Sequence, residues 1–562
     1  MIKNGKVLFI FVLTLLLIGL IFFVGQEIIQ FNRISKEIVN SLKESNFEEA
    51  INLINQETDF KKDISFLPII GNEIELRQHL KAIDNNLKEI NNGFLLSSMF
   101  QQDKNSLLYL ENINESLNFL DRYNIDYINE RKHYLENWLL FFGNDRPKNY
   151  LVLFQEPTIP RSTGGFIGAY AILSFDKGKI EFSGDNIFAL EEIFLEKIIP
   201  PDPLQSISDK WSFHDSNWFF DYPSSAQKIL SFYLSTEKKP LLDGVIVVNS
   251  SILRDILEII GPITINDHNL IIDYNNYNSF FKNQIREGAK LAPMREEELF
   301  PVFLETLQTK LRRASPEVLS QIPDVLANAF IKKEIQLYVT DDKLEYFFDS
   351  LGWTGRIEEG QDDYLAVVFN LFNQNFSEDI RHKEIKLKTN FISDGQIINT
   401  LTINIPPYDS TDWLQETYLK IYLPKGITIK GAENCYLKKN KNTLSYYKKL
   451  GYKEDEDLSL IEKTKIRNEN LEIEIYEEGG KTVVATWTKL SARPFKLIYK
   501  LAVDWTDFSS WRLKVQKQSG QNVKFSYQLI MPDDVKIVPT LFPFNELIPL
   551  ESNMIFDFKR EY

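Results

Sequence analysis

The stretch Arg161-Ser162-Thr163-Gly164-Gly165-Phe166-Ile167-Gly168-Ala169-Tyr170 decides the fold of this chain. It follows the apolar run Tyr150-Leu151-Val152-Leu153-Phe154, which predicts a buried strand. Three glycines so close together suit a strand only where the backbone takes positive φ or where another group approaches closely. We therefore predict that Gly164, Gly165 and Gly168 mark either a functional site or a structural keystone.

Strands and helices alternate around this stretch, over residues 148–380. Residues 169–175 predict a second strand, and Asp176-Lys177-Gly178 predicts the turn of a hairpin. Residues 242–248 predict another buried strand, followed by a helix that Gly261-Pro262 ends. Strand, helix and strand with short connections are typical of an α/β domain.

From residue 381 onward the apolar residues alternate with a period of two. Asp394-Gly395 separates two such runs and predicts a hairpin. Further strands are predicted at 418–423, 471–476, 482–487, 495–503, 511–516 and 523–530. Regular spacing of this kind predicts an antiparallel β-sandwich over residues 381–562. We interpret the charged segment 437–468 as an exposed hairpin or insertion with a solvated surface.

Apolar seams at heptad spacing occupy residues 26–147. They contain Leu76, Leu80, Ile83, Leu87 and Ile90, and then Leu110, Ile113, Leu117 and Leu120. A helical bundle that packs on itself and a coiled stalk that pairs with another chain both fit this pattern. We favour the bundle, because each seam lasts about two heptads and coiled coils need three or four.

The N-terminus predicts the compartment of the protein. Residues 7–25 carry no charge, and a helix of that length nearly spans the ~30 Å hydrocarbon core of a bilayer. Lys3 and Lys6 precede it without an acid, so we expect a cytoplasmic tail at 1–6, a transmembrane signal anchor at 7–25 and the bulk outside. A cleaved signal peptide is the alternative, although Phe23-Val24-Gly25 lacks the small-x-small cleavage pattern.

These segments together predict an α+β multidomain protein of the cell membrane. The net charge of −15 excludes nucleic acid as a partner. Cys435 is the single cysteine, which excludes an intrachain disulfide and a cysteine-ligated metal. The five histidines have no metal-ligand spacing, and we predict no cofactor.

Six charged residues of the central domain are candidate site residues. Guanidinium groups match phosphate bidentately, which makes three arginines candidate anion-binding residues: Arg161, Arg286 and Arg295. Three aspartates are candidate acidic residues: Asp215, Asp221 and Asp243. For Arg161 an anion contact and a buried salt bridge are equally open, whereas for Asp215 and Asp221 we favour capping of a turn before a helix near Ser224.

The motifs of the central domain resemble a known family. Gln155 and Arg161, with Thr163-Gly164-Gly165-Phe166-Ile167-Gly168, are similar to the signature of the bacterial family called domain of unknown function 4012. Further matching stretches are Asp215-Ser216-Asn217-Trp218, Asp221-Tyr222-Pro223, Asp243-Gly244-Val245-Ile246, Gly261-Pro262, Gly352-Trp353-Thr354-Gly355, Asp363-Tyr364-Leu365, Tyr422-Leu423-Pro424-Lys425-Gly426 and Val515-Gln516-Lys517-Gln518-Ser519-Gly520. The resemblance covers most of residues 148–535 and implies a membrane-anchored envelope protein without an established activity. The chain departs from the family at Ile159, where an acidic residue is usual, and at Glu156, where Asn is usual.

A second resemblance concerns only the core of the central domain. Leu242-Asp243-Gly244-Val245-Ile246-Val247-Val248, a helix and then Gly261-Pro262-Ile263-Thr264-Ile265 resemble the LytR-CpsA-Psr enzymes. This resemblance implies single-pass envelope proteins that transfer glycopolymers from a polyprenyl pyrophosphate carrier, with arginines on the pyrophosphate and carboxylates on a divalent metal. The dense arginine cluster of those enzymes is not evident here, so the resemblance implies a shared core more readily than a shared reaction.

Three functions are compatible with these patterns. We favour a non-catalytic module of the cell envelope that binds or organises surface polymer or partner proteins. The alternatives are a transferase acting on a polyprenyl pyrophosphate-linked substrate, and a structural protein whose helical stalk lifts the sandwich from the membrane. Convergence of Arg161, Asp215 and Asp243 in a deep pocket would favour the transferase. Close packing around Gly164, Gly165 and Gly168, which we call the glycine block, would favour the other two functions.

Overall fold

The computed structural model describes most of the chain after residue 72. The described residues are 73–561 without 103–105, 122–125, 237–239, 291–298, 360–362, 373–381, 406–415, 440–441, 491–492, 506–509, 534 and 540–545. The predicted cytoplasmic tail at 1–6, the predicted anchor at 7–25 and the start of the helical region lie outside them. Within the described ranges, no helix combines the length and the apolar character needed to cross a membrane.

The described part of the helical region is a bundle that packs on the rest of the chain. Its helices are α1 (Glu73–Asn91), α2 (Phe94–Phe100), α3 (Leu108–Asp121) and α4 (Asp126–Phe141). Ile83, Leu87 and Ile113 of the predicted seams are buried in one apolar core, which continues into the central domain. Trp138 of α4 illustrates that continuity, because its ring lies 5.8 Å from the ring of Trp353.

The central domain is built on a mixed five-stranded sheet. The strands in chain order are β1 (Lys148–Arg161), β2 (Gly164–Asp176), β3 (Lys179–Asn186), β4 (Gly244–Asn249), β5 (Ile263–Ile265), β6 (Leu270–Ile272) and β7 (Ile335–Val339). Their order in the sheet is β3-β2-β1-β4-β7, with β1 and β4 parallel, while β5 and β6 form a separate hairpin. The mixed α/β architecture predicted from the alternating pattern is therefore present.

Helices cover both faces of this sheet. They are α5 (Ile187–Ile193), α6 (Tyr222–Ser235), α7 (Ser251–Ile260), α8 (Tyr277–Gly288), α9 (Phe300–Arg312), α10 (Pro316–Leu319), α11 (Ile322–Ile331) and α12 (Asp342–Ser350). The apolar run of β1 supplies both faces: Tyr150 and Val152 join the core shared with the helical bundle, whereas Leu151 and Leu153 join a second core. A strand buried on both faces needs such an uninterrupted apolar run.

The C-terminal part is a sandwich of two sheets. Its elements are β8 (Asp363–Asn370), β9 (Lys383–Phe391), β10 (Ile397–Asn404), β11 (Thr417–Leu423), β12 (Thr428–Glu433), α13 (Leu444–Lys449), α14 (Glu456–Thr464), β13 (Ile466–Asn468), β14 (Ile473–Glu478), β15 (Lys481–Thr488), β16 (Phe495–Lys500), β17 (Ser510–Gln516), β18 (Val523–Ile530), β19 (Lys536–Pro539), β20 (Ile548–Pro549) and β21 (Met554–Glu561). One sheet has the order β12-β16-β10-β9-β18-β20 and the other β13-β14-β15-β11-β8-β17-β21-β19.

Two features of the sandwich differ from the sequence prediction. Its first strand, β8, lies before the predicted boundary at residue 380. The predicted antiparallel arrangement is also interrupted, because β8 pairs with β17 and β9 with β18 in parallel. The reason is that β8 and β17 are neighbours in one sheet, and the strands that follow them in the chain, β9 and β18, are neighbours in the other sheet.

The two domains share one apolar layer. Tyr364 and Val368 of β8 face the second core, together with Leu153 of β1 and Phe232 of α6. The alternate residues of β8, such as Val367, face the interior between the two sandwich sheets. The central domain and the sandwich are thus stacked through a continuous hydrophobic core rather than joined by a linker.

Candidate functional site

The glycine block forms the tip of the β1–β2 hairpin. Arg161 pairs with Gly164 across the turn, and Gly164 has a φ of +143°. A Cβ on Gly165 would lie 2.1 Å from the backbone oxygen of Glu156. Both positions exclude a side chain, the first by conformation and the second by contact with backbone that has no room to move.

Gly168 occupies a β-bulge in the same hairpin. The register shifts between Phe154, which pairs with Ala169, and Gln155, which pairs with Ile167, so Gly168 has no partner. A Cβ at this position would lie 2.7 Å from the side chain of Ile285 on α8. The glycine block is therefore a packing keystone, as the sequence prediction allowed.

Arg161 is held in a buried ion pair with Asp215. Its Nε lies 2.6 Å from Oδ1 of Asp215, and the two side chains are 5% and 3% exposed. Its Nη1 donates to the backbone oxygens of Leu371 and Pro160, at 2.6 and 3.1 Å. The guanidinium group also lies 4.9 Å from the ring centroid of Phe372. Of the two interpretations of Arg161, the geometry agrees with the buried salt bridge.

His214 completes this charged cluster. Its Nδ1 lies 2.9 Å from Oε1 of Glu191, and its Nε2 lies 3.5 Å from Oδ2 of Asp215. Burial alone would lower the pKa of His214, but the carboxylates of Glu191 and Asp215 outweigh burial and raise it. The Arg161–Asp215–His214 cluster thus has its charges matched internally.

Polar side chains from distant motifs meet around the hairpin tip. Gln518, after β17, donates from Nε2 to the backbone oxygens of Arg161 and Phe369, both at 2.9 Å. Asn217 donates to Oγ1 of Thr163 at 3.0 Å and to the backbone oxygen of Gly165 at 2.9 Å. The motifs around residues 155, 161–168, 215–218 and 515–520 therefore form one polar junction between the central domain and the sandwich.

The remaining candidate acids do not join Arg161. Asp221 is the N-cap of α6, where Oδ2 accepts from the backbone N of Ser224 at 3.2 Å and Oδ1 from that of Ile357 at 2.9 Å. The predicted capping role is therefore confirmed for Asp221, whereas it is wrong for Asp215, whose side chain binds Arg161 instead. Asp243 pairs with Arg146 at 2.5 Å. It precedes β4, whose other end, at Asn249, lies beside the glycine block, so Asp243 and Arg161 lie at opposite ends of the sheet.

The other two candidate arginines do not join the cluster within the described structure. Arg286 is exposed near the end of α8. Arg295 lies outside the described residues. Of the six candidate residues, the structure thus brings together Arg161 and Asp215, whose opposite charges neutralise each other.

A groove between the two domains is the candidate binding site. We call it the interdomain groove. It consists of a cavity of about 530 Å³ and an adjoining one of about 170 Å³, which share Asp202, Pro203, Gln205 and Tyr418 in their linings. Its lining combines the loop around residues 199–206, the face of β11, β14 and β15, and the helices α13 and α14. None of its lining residues comes from the glycine block.

Aromatic rings line the inner wall of the groove. Trp218 and Tyr418 have nearly parallel rings, with centroids 6.2 Å apart and an interplanar angle of 23°. Tyr418 in turn lies 5.4 Å from Trp487, and Tyr476 lies in the same lining. Trp218, Tyr418 and Trp487 are 6%, 3% and 4% exposed, so they present apolar edges to the groove, next to polar hydroxyl and indole N–H groups.

The charged groups inside the groove largely neutralise one another. Lys465 lies 3.2 Å from Asp202 and also pairs with Glu462. Burial, reinforced by the negative charge of Asp202, raises the pKa of Glu474 despite the nearby Lys465. The inner groove is therefore aromatic and nearly neutral.

The outer wall of the groove is held by ion pairs to the central domain. Lys228 of α6 lies 2.5 Å from Asp455, which caps α14 by accepting from the backbone N of Leu458 at 3.1 Å. The backbone N of Lys453 donates to the oxygen of Lys197, and the N of Ile199 donates to the oxygen of Lys453. The segment 437–468, which the sequence suggested as solvated surface, is thus an insertion that closes the groove.

The sequence analysis included one groove residue, Trp218, as part of a family motif, and otherwise missed the site. The aromatic wall joins residues near 218, 418, 476 and 487, which are far apart in the chain. The run Pro200-Pro201-Asp202-Pro203 is the one local feature of the sequence that indicates the groove, because its three prolines restrict the backbone of the loop that lines it.

Comparison with protein families identifies the class of the central domain. Residues 145–285 match the model of the family described as protein of unknown function (DUF4012). The family prediction from the glycine block and Arg161 is therefore confirmed over this segment, while the motifs from residue 352 onward lie beyond it. A comparison with curated proteins gave no match.

Proposed function

We propose that this protein is a non-catalytic binding module of the bacterial cell envelope, anchored by residues 7–25, that binds a surface polymer in the interdomain groove. The observation that carries the proposal is the aromatic wall of the groove, in which Trp218 and Tyr418 line the cavity of about 530 Å³ and Tyr418 and Trp487 line the adjoining one of about 170 Å³. Cavities of roughly 300–1,000 Å³ with apolar walls and a few polar groups are typical of ligand sites.

The geometry suits a polymer of sugar or polyol units. The C–H faces of such units pack on aromatic rings, while their hydroxyl groups require donors and acceptors at the edge of the rings. Gln205, Asn442 and Ser459 line the same cavity and supply such groups. Because the groove continues into the second cavity past Asp202 and Tyr418, it offers a path longer than one unit.

The charged cluster of the central domain argues against the transferase alternative. Arg161 directs its donors at Asp215 and at two backbone oxygens, so a pyrophosphate would have to displace a buried carboxylate. Asp243, the acid in the core that resembles the LytR-CpsA-Psr enzymes, pairs with Arg146 at the far end of β4. The same geometry offers no specific support for a purely structural role, because a spacer has no need of a lined groove.

A groove-filling variant tests the proposal. Ser459 lines the larger cavity, and its hydroxyl donates to the oxygen of Asp455 on its own helix at 2.7 Å. Ser459→Trp should fill the groove without removing a long-range contact. Ser350→Trp is the matched control, because Ser350 is an exposed helical serine outside the groove whose hydroxyl donates to the oxygen of Phe347 at 2.6 Å.

The measurement is binding of labelled dextran and of labelled poly(glycerol phosphate) to the full chain in nanodiscs of zwitterionic lipid. We expect the parent and Ser350→Trp to bind at least one polymer alike, and Ser459→Trp to lose about tenfold or more in affinity at an unchanged melting temperature. Absence of binding by the parent, or equal binding by both variants, would refute the proposal.

A further inference from the structure

We infer that the polymer in the interdomain groove is anionic, and that a lysine-rich rim formed by residues 438–453 recognises its charge. This inference rests on the proposed function and specifies its ligand. The sequence of residues 438–453 contains six lysines and no aspartate or glutamate, and the described part of this segment, which forms the rim, contains five of them: Lys438, Lys439, Lys448, Lys449 and Lys453. The whole chain carries a net charge of −15, so this run of six lysines opposes the charge of the rest of the molecule.

The fold places this rim at the groove. Lys438 and Lys439 line the smaller cavity, while Asn442, Leu444 and Tyr447 of the same segment line the larger one. Lys438 also places its Nζ 3.6 Å from the ring centroid of Trp487. A polymer that lies on the aromatic wall therefore passes the ammonium groups of the rim.

Part of the rim is balanced by acids and part is directed to solvent. Lys438 pairs with Glu416 at 2.5 Å, Lys448 with Glu454 at 2.6 Å and Lys453 with Glu196 at 2.7 Å. Lys439 and Lys449 are exposed, and neither has a carboxylate partner among the residues that the structure describes. These two lysines hold a positive charge that folding does not neutralise.

An anionic membrane is the other surface that such a segment suits, because Leu444, Tyr446 and Leu450 are 47%, 45% and 47% exposed beside the lysines. The pairing of the nearby acids favours a polymer. Glu456 is exposed on α14, where a flat anionic bilayer that contacted the rim would meet its carboxylate. A polymer chain in the groove also passes acids, but Asp202, Asp455 and Glu462 are each paired with a lysine.

The test compares charge reversal in the rim with the same change elsewhere. The rim variant is Lys439→Glu with Lys449→Glu. The control is Lys386→Glu with Lys388→Glu, on exposed positions of β9 in the other sandwich sheet. Both variants alter the net charge equally, and at physiological salt a charge acts over only ~8 Å.

The full chain in zwitterionic nanodiscs should bind poly(glycerol phosphate) more tightly than dextran of equal length. The rim variant should lose about tenfold or more in affinity for the anionic polymer and keep its affinity for dextran, and its affinity should depend less steeply on salt. The control variant should stay within about twofold of the parent.

Three other outcomes would overturn the inference, and they are distinguishable. Equal binding of both polymers by parent and rim variant would remove the charge preference while leaving the proposed function intact. If the parent bound neither polymer, both the charge preference and the proposed function would be refuted. Protection of residues 444–450 from hydrogen exchange by anionic nanodiscs without polymer, lost in the rim variant, would assign the rim to the membrane instead.

Discussion

Replacing Arg161 by methionine tests whether the charged cluster is structural. Methionine keeps most of the apolar volume near Phe372 and removes the guanidinium group. Asp215 would then be a 3%-exposed carboxylate that keeps only His214, at 3.5 Å, as a charged partner, and the backbone oxygen of Leu371 would lose a donor at 2.6 Å. Breaking one side of a buried pair in this way typically costs about 3–5 kcal/mol, because the remaining charge stays buried.

The control is a surface pair in the same chain. Arg512 lies 3.1 Å from Asp557, and the two side chains are 48% and 31% exposed. Arg512→Met should cost less than about 1 kcal/mol, because water screens the pair before and after the change. The contrast between the two variants isolates the effect of burial from the effect of losing an arginine.

The assay is urea unfolding of the full chain, followed by tryptophan fluorescence. Arg161→Met should lower the midpoint of the transition that reports the central domain. Adding Asp215→Leu should recover part of the loss, because the double variant removes both charges of the Arg161–Asp215 pair. A parent-like midpoint for Arg161→Met, together with a pyrophosphate-dependent stabilisation that only the parent shows, would refute the structural role and restore the anion-binding hypothesis.

Four further changes have defined outcomes. Gly165→Val should lower the melting temperature by the equivalent of at least ~2 kcal/mol, because its Cβ would lie 2.1 Å from a backbone oxygen, whereas Gly431→Val should be mild, since its nearest neighbour is 4.0 Å away. Burial raises the pKa of Glu345 to about 7, so the free energy of unfolding should fall as pH rises from about 4.5 to 7, and Glu345→Gln should abolish that slope in urea melts. Gln518→Met should leave buried backbone groups unpaired and make the domain junction cleavable by trypsin at lower urea than in the parent. If residues 7–25 are an uncleaved anchor, protease added to spheroplasts should degrade the C-terminal domain, and its full protection would contradict that topology.

The strands of the core could be predicted from the sequence because their signals are local. The apolar run of β1 and the alternation in β9 and β10 depend on neighbours a few residues away, and the structure has strands at each of them. The glycine block was equally informative, since close packing leaves few residue types possible at such positions. These predictions did not depend on knowing which helices and strands contact one another in the fold.

The partners of the charged residues could not be predicted, because they lie far away in the chain. Arg161 finds Asp215 at a separation of 54 residues, and Asp221 binds the backbone of Ile357 at a separation of 136. The same limit hid the groove, whose wall combines Trp218 with Tyr418 and Trp487. The insertion at 437–468 has the composition of a solvated surface, and only its docking on Lys228 and Lys197 gives it a role.

The buried polar groups explain how two stacked apolar layers produce a groove of defined width. Apolar contact is non-directional, so the shared core alone would allow the domains to slide against each other. Lys420 of β11 lies 2.8 Å from Glu478 and donates to the backbone oxygen of Trp218 at 3.3 Å, with no side-chain exposure. Burial lowers the pKa of Lys420, and the attraction of Glu478 opposes that shift. Lys420 is two residues from Tyr418 on the same strand, and Glu478 accepts from the backbone N of Phe220 at 3.1 Å, so the pair ties the segment of Trp218 to the strand of Tyr418. A buried charge pair adds little net stability, but its hydrogen bonds to the backbone of Trp218 and Phe220 select one alignment of the layers, and the proposed polymer site depends on that alignment.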